Sequence, residues 1–454
     1  MSGGSDPVVA ATPAPPAGMR TFFTLWASQS ASLIGTMVTL FAINIWQTVV
    51  LFPRLDQKPQ LAASLTLTTL AFAIPTIFGA PLAGAYADRH DRRRVMMLAN
   101  VVSGVLSAIL IALLATGRVG VPGAAVLLAA YALAGSFHSA AFDASYVMLV
   151  PSEQLPRANA MMMTSQALSG LVAPGLAAAL VTLPRLLVTH GSGAIARLAA
   201  RMPSGVPLAI LFDMLTFFAA ALVLTTLHVP SPPRVAGTRH SLARDLATGW
   251  DFLSRQQALL WLLAMFALAN LAAAFLAILT PLMVRFTFMA HGTALGLPFE
   301  TAFALLATVG SLGGVAGGVV MAAWGGLRTR RVLGVLVSMM LLAAFLIGYG
   351  LAPTLLVACV FNALFQGVIP ALNAHSATLW QTRTPRELQG RVFSTRRMVA
   401  QGSFPLGTAL AGFLATRLDP GLMLPVLGGV LAVFTATLFA NRSLRTIETT
   451  PPPL

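Results

Sequence analysis

The stretch Gly84-Ala-Tyr-Ala-Asp88-Arg89-His-Asp-Arg92-Arg93-Arg94 lies between two apolar runs, Leu61–Ala83 and Val95–Leu114. Each run is long enough to cross a bilayer. The stretch is therefore a short loop joining two transmembrane helices on one side of a membrane. Its four arginines assign that side to the cytoplasm, because cationic loops resist translocation. A short loop has no need of Asp88 at the helix end, with Gly84 one turn earlier. A Gly there lets a neighbouring helix come close, and the carboxylate can then accept from the free N–H groups of that helix's N-terminus. The plainer reading of the same residues is a solvated basic hairpin.

Composition extends the membrane reading to the whole chain. Of 454 residues 57% are apolar and 9% charged, and the mean hydropathy is +0.82. A soluble domain carries roughly 25% charged residues. The length allows about a dozen helices of about 20 residues each. The formal net charge of +15 is spread over short loops between apolar runs. That is an orientation signal and not a basic face, so nucleic acid is excluded as a partner. The single cysteine, Cys359, leaves no disulfide and no cysteine metal cluster, and neither metal nor cofactor is expected. Lys58, the only lysine, follows Gln57 and so cannot belong to a Gly-Lys-Ser/Thr phosphate loop. Energy for any work must come from an ion gradient or a partner. With no nucleophile–base pair in view, an enzyme is not expected.

Taken in order, residues 1–18 form a Pro-, Ala- and Gly-rich disordered tail without the features of a signal peptide. Spans 1 to 6 are read at about Phe22–Phe52, residues 61–83, residues 95–115, Val121–Val150, a span after the loop 151–160, and Val206–Leu227. Arg185–Gly205 reads as a long outer loop, with an amphipathic portion at 195–202 resting on the interface. Span 5 carries Gly170, Pro174 and Gly175, a bend with small residues that allow close helix packing. The break at Pro230-Ser-Pro-Pro halves the chain, and Leu242, Leu246, Trp250 and Leu253 then mark one face of a surface helix. Spans 7 to 12 are read at about Leu259–Phe286, Glu300–Trp324, Val332–Leu351, Pro353–Trp380, Val392–Thr416 and Gly421–Ala440. The divisions are thus 1–18 (tail), 19–229 (first bundle), 230–257 (central loop), 258–441 (second bundle) and 442–454 (tail).

The halves repeat. Gly326 stands where Asp88 would recur, Glu387-Leu388 echoes Gln154-Leu155, and Pro405 with Gly407 echoes Pro174 and Gly175. The offsets are 238, 233 and 231 residues, as one internal duplication in parallel orientation would give. Of 28 lysines and arginines, eight fall on the expected outer side: Arg54, Lys58, Arg118, Arg185, Arg197, Arg201, Arg285 and Arg417. The other 20 fall inside, so both termini are expected in the cytoplasm.

Gly84, Asp88, Arg89, Arg92 and Arg93 resemble the helix 2–3 loop signature of the major facilitator superfamily. The form Ala-Asp-Arg-x-Asp-Arg-Arg-Arg is similar to its drug-efflux branch, which includes macrolide and siderophore (enterobactin-type) exporters. The run after Ser169 looks like a degraded version of the family's antiporter motif. The resemblance implies an all-α integral membrane protein, twelve transmembrane helices in two pseudo-symmetric six-helix bundles. It implies a monomer in a bacterial cytoplasmic membrane, surrounded by membrane lipids. Export of a lipophilic or amphipathic small molecule by proton antiport is the implied activity. A lysophospholipid flippase, an importer or a non-transporting receptor on the same fold stays open. Thr36, after Leu33-Ile-Gly35, stands where related exporters often carry an acid.

The resemblance also orders the candidate residues. A conformational gate would use Gly84, Asp88, Arg89, Arg92 and Arg93 against Arg391 at the start of span 11. Asp143 and Asp213 are the acids well within apolar runs, and such groups are costly unless paired or protonated. Asp143 either pairs with Arg89 or Arg92 or handles protons. Asp213, ~10 Å deep by helix rise, is either a proton site or held by a partner on span 3 or 5. His138 and His375 titrate near neutral pH, or are hydrogen-bonded glue. A midplane cavity lined by spans 1, 4, 7 and 10 would offer Gln29, Asn44, Gln47, Asn270, Asn362, Gln366 and Asn373. So few fixed charges suit a lipophilic substrate.

Overall fold

A computed structural model describes residues 18–230, apart from 201 and 203, and residues 242–449. The tail expected before residue 18 and most of the central break lie outside the described residues. Among the described residues, twelve helices are long and apolar enough to span a membrane. They are α1 (Gly18–Leu51), α2 (Leu55–Ala87), α3 (Arg92–Ala115), α4 (Val121–Leu149), α5 (Ser152–His190) and α6 (Val206–Thr226), then α7 (Gln257–Met289), α8 (Phe299–Trp324), α9 (Arg331–Gly350), α10 (Leu355–Arg383), α11 (Gln389–Ala415) and α12 (Pro420–Phe439). Among the described residues there is no strand.

Local chemistry sets the helix ends. Pro occupies the first turn of α2, α4, α6 and α12, where its missing N–H costs nothing. Gly325, at φ 75°, closes α8 in the left-handed conformation. Asp91 caps α3 by accepting from the Arg94 N–H at 3.0 Å. Two expected loops are largely helical. A 3-10 turn over Ser152–Gln154 leads into helix at Leu155, and α5 continues through Pro184 to His190 before a short helix at Gly193–Ala199. The backbone there stays hydrogen-bonded within the helix, which apolar surroundings demand.

The duplication is visible in the packing. In the first half α2 and α3 pack on α4, α6 packs on α3 and α1, and α1 packs on α5. Adding six to each number gives the pairs of the second half. Even the π-helical turns recur, Trp46–Leu51 ending α1 and Val284–Met289 ending α7. The halves meet where α5 crosses α8 and where α2 crosses α11.

The C-terminal segment is a correction. Read as a tail, it forms a short helix, Arg442–Thr446, with Leu444 and Ile447 buried. Glu448 then accepts from the N–H groups of Arg331 at 2.9 Å and Val332 at 3.3 Å. Its carboxylate caps α9 as Asp91 caps α3, so a residue over a hundred positions away supplies what the 8–9 loop lacks.

Candidate functional site

One face of the molecule carries the basic loops between α2 and α3, α8 and α9, and α10 and α11; we call it the basic face. On it, the opening motif divides into pinned and free residues. Arg92 is 7% exposed and donates to the carbonyl of Ala144 near the end of α4 at 2.8 Å. Arg93 reaches the last turn of α6, donating to Leu224 O at 2.7 Å and Thr225 O at 2.5 Å. Both cations thus satisfy carbonyls at helix C-termini, where the dipole favours them. Arg89 is exposed. Asp88 is 69% exposed at its side chain and lies 3.4 Å from Arg92. A Cβ added at Gly84 or at Gly390 would meet nothing within 4 Å, so neither glycine is packed against a neighbouring helix here.

The ion pair expected between Asp143 and Arg89 or Arg92 is not formed, because Arg92 is committed to Ala144 O and Asp88. Asp143 is exposed, and the charge acting on it is Arg397 of α11, in the other half. Gln401 and Asn373 are exposed as well. Polar side chains exposed within spans belong to a wet cleft and not to lipid.

Near mid-membrane a cavity of about 450 Å³ lies between the halves. Asn44, Thr69, Thr76, Asn270 and Gln401 give it polar edges, and Phe72 and Phe404 give it aromatic walls. Asn44 and Asn270 each donate to the carbonyl one turn back, Leu40 O at 3.1 Å and Phe266 O at 2.8 Å. Their amide oxygens remain for a ligand. Lining comes from α1, α2, α4, α7 and α11, so the expected contribution of α10 is replaced by α2 and α11. Two amides are committed elsewhere. Gln47 is fully buried, donating to Thr68 Oγ1 at 3.0 Å and accepting from Ser64 Oγ at 2.8 Å. Asn362 donates to Leu306 O at 2.9 Å, tying α10 to α8. Gln29 is buried beside Ser28 with its carbonyl oxygen unpartnered. Gln366 lies on α10 against Gly314, and Asn373, two turns further on, is exposed; neither lines the cavity. Thr68, Thr69, Thr76 and Gln401 escaped the sequence reading, since membrane threonines bond their own helix so commonly that they give no signal.

Asp213 is completely buried at the junction of α1, α4 and α6. Its Oδ2 accepts from Thr39 Oγ1 at 2.8 Å and from the Tyr131 hydroxyl at 2.9 Å. The partners expected on span 3 or 5 therefore stand on spans 1 and 4. Its Oδ1 has no partner. Tyr131 also lies 2.9 Å from Thr36 Oγ1, so hydroxyls run from the carboxylate towards α1. Gly35 permits this approach: a Cβ there would sit 2.5 Å from Thr216 Oγ1 and 2.7 Å from Asp213 Oδ1.

The histidines differ. His138 stacks on Phe142 at 6.0 Å with its Nε2 buried and unpartnered. His375 is 3% exposed, its Nδ1 2.7 Å from Ala371 O while its Nε2 accepts from the Leu327 N–H at 2.9 Å. That arrangement uses both ring nitrogens of a neutral imidazole to hold the 8–9 loop. In the small-residue motifs, Ser311 of α8 donates to Gly170 O at 2.8 Å, and Gly407 lies against α7 at Leu271. Pro174 and Pro405 are buried, and the space beside Gly175 is open.

Two six-helix bundles around a sparsely polar cavity near mid-membrane have the architecture of a membrane transporter. The profile of the Major Facilitator Superfamily matches residues 25–408, and the chain belongs to that family. It is 23% identical over 400 residues to macrolide efflux protein A of Streptococcus pyogenes, covering 87% of this chain and 90% of that one. It is 28% identical to the uncharacterized MFS-type transporter y4rN of Sinorhizobium fredii, covering 91% and 93%. Among solved structures, a mutant of the nucleoside transporter NupG superposes with a TM-score of 0.69 at 11% identity, covering 92% and 99%. A bacterial homologue of the human lysosomal transporter Spinster gives 0.60 at 14%, covering 96% and 95%.

Proposed function

We propose that this chain exports a lipophilic or amphipathic small molecule, of macrolide-like or siderophore-like character, across a bacterial cytoplasmic membrane. The observation that carries the reading is the cavity between the halves: amide and hydroxyl edges, aromatic walls, and no charged side chain in its lining. Such a surface rewards apolar burial and a few hydrogen bonds, and it penalises a charged ligand through desolvation. The macrolide efflux relatives from Streptococcus and Enterococcus support both direction and substrate class. The basic face is cytoplasmic by its arginines, so the cleft here is inward-open. Alternating access rocks the two halves of the monomer about the cavity.

Proton antiport supplies the energy, and Asp213 is the coupling carboxylate. A buried carboxylate without a cation must be neutralised, and a proton arriving or leaving changes what α1, α4 and α6 can share. Asp143 and His138, nearer the basic face, are the further titrating candidates. The experiment is efflux from proteoliposomes loaded with a macrolide probe, with and without an imposed pH gradient, for wild type and Asp213→Asn. The expected result is gradient-driven efflux in wild type, lost in the variant, with probe binding retained. Efflux indifferent to the gradient in wild type would refute antiport.

A further inference from the structure

The face opposite the basic one is closed, and its closure is built from cations. Arg185, at the end of α5, lies 3.2 Å from Glu300 in the first turn of α8. The Arg185 side chain is 60% exposed, whereas that of Glu300 is 3% exposed. Lys58, at the start of α2, donates to Leu418 O beyond the end of α11 at 2.7 Å, with Asp419 within Coulomb range. Arg285, near the end of α7, donates to Pro53 O in the 1–2 loop. All three contacts join one half to the other. Beneath the first, Phe41 of α1 stacks on Phe303 of α8 at 4.2 Å and 13°, and Phe299 lies 5.5 Å from Phe303.

We infer that these three cations form the outer gate of the transport cycle, with Arg185–Glu300 its central latch over an aromatic plug. The inference rests on the proposed orientation and on alternating access. Charge on this face is sparse because translocated loops shed lysine and arginine, so cations kept there have a specific use. Glu300 is the buried member of the pair, held at a helix N-terminus that favours its charge. Its cation comes from the other half, so parting the halves must expose it to water. Closed, the Glu300 carboxylate is shielded while Arg185 stays largely in water; open, both groups are hydrated and the loss is small. A latch of that kind biases the two states without freezing either. Glu300 and Arg185 touch no substrate; they are positioning residues that act through the plug.

Lys58 provides the readout. As the only lysine, it carries the only side-chain amine, and it lies on the α2–α11 side of the seam, away from the mutated pair. An impermeant amine-reactive ester is added outside right-side-out vesicles, and modification of Lys58 is followed by peptide mass spectrometry. Glu300→Gln and Arg185→Ala should each raise the labelling rate several-fold. The double variant should match the singles, because one contact is broken either way, and Arg185→Lys should restore slow labelling. A residue that merely stabilised the fold would lower expression or melting temperature without this non-additive rise at a distant amine. Unchanged Lys58 labelling in both single variants would overturn the gate. The assay needs neither substrate nor pH gradient, so failed export with the expected labelling would refute the proposed function and leave the gate standing. Labelling of Lys58 only from the interior would instead refute the proposed orientation.

Discussion

Asp88 and Arg92 lie 3.4 Å apart at the loop between α2 and α3, yet the carboxylate is 69% exposed and the guanidinium 8%. The cation is spent on α4, which leaves Asp88 as the mobile partner. Swinging the basic-face ends together would bring it to the N-terminal turn of α11, around Gly390 and Arg391. A contact with a helix N-terminus is worth roughly 0.3–2 kcal/mol, and 1 kcal/mol changes a two-state ratio about fivefold. Asp88→Asn should therefore favour the state open on the basic face. Disulfide cross-linking between Gly84→Cys and Ser394→Cys should fall several-fold in that background. Undiminished cross-linking would make Asp88 a solvated loop residue.

The arginines of the same motif should separate by stability. Arg92→Ala removes a buried cation from the Ala144 carbonyl, the Met148 sulfur and Asp88, a loss of about 1–3 kcal/mol. Arg89→Ala touches an exposed side chain and should leave the melting temperature unchanged. Thermal unfolding in detergent distinguishes them, and equal melting temperatures would contradict the pinned role of Arg92.

The sequence made the twelve spans plain because span-length apolar runs report directly on bilayer physics. It located the duplication through prolines, glycines and loop charges, and the π-helical turns ending α1 and α7 follow the same spacing. The site was less legible. Polarity in a span does not reveal what a residue bonds: Gln47 and Asn44 are three residues apart, yet one is consumed by α2 and the other lines the cavity. Nor does it show that α2 and α11 line the cavity, since their contribution is threonines and phenylalanines. The Glu448 cap joins segments that no local pattern relates.

That distinction among amides is itself testable. Gln47→Leu breaks two buried hydrogen bonds, so it should lower thermal stability by about 1–3 kcal/mol and leave probe affinity unchanged. Gln401→Ala, at an exposed cavity position, should do the reverse: weaker binding of the probe with little change in stability. Tryptophan-quenching titrations and melting curves on the two variants provide both readouts.

The approach of α1 to α6 gives the last expectation. A methyl group at Gly35 would lie 2.5 Å from Thr216 Oγ1, 2.7 Å from Asp213 Oδ1 and 3.0 Å from Asp213 Cα. The last of these is backbone and cannot rotate away, so α1 must shift. Overpacking of that kind costs typically about 1–3 kcal/mol, and the shift also lengthens the Thr39–Asp213 bond. Gly35→Ala should thus lower the melting temperature and reduce gradient-driven efflux together. Gly175→Ala is the control, since its Cβ meets nothing within 4 Å, and alanine is the better helix former by about 0.8–1 kcal/mol. It should be neutral or slightly stabilising. A Gly35→Ala protein as stable and as active as the Gly175→Ala control would mean that α1 and α6 are not in the contact described, and the carboxylate junction would have to be redrawn.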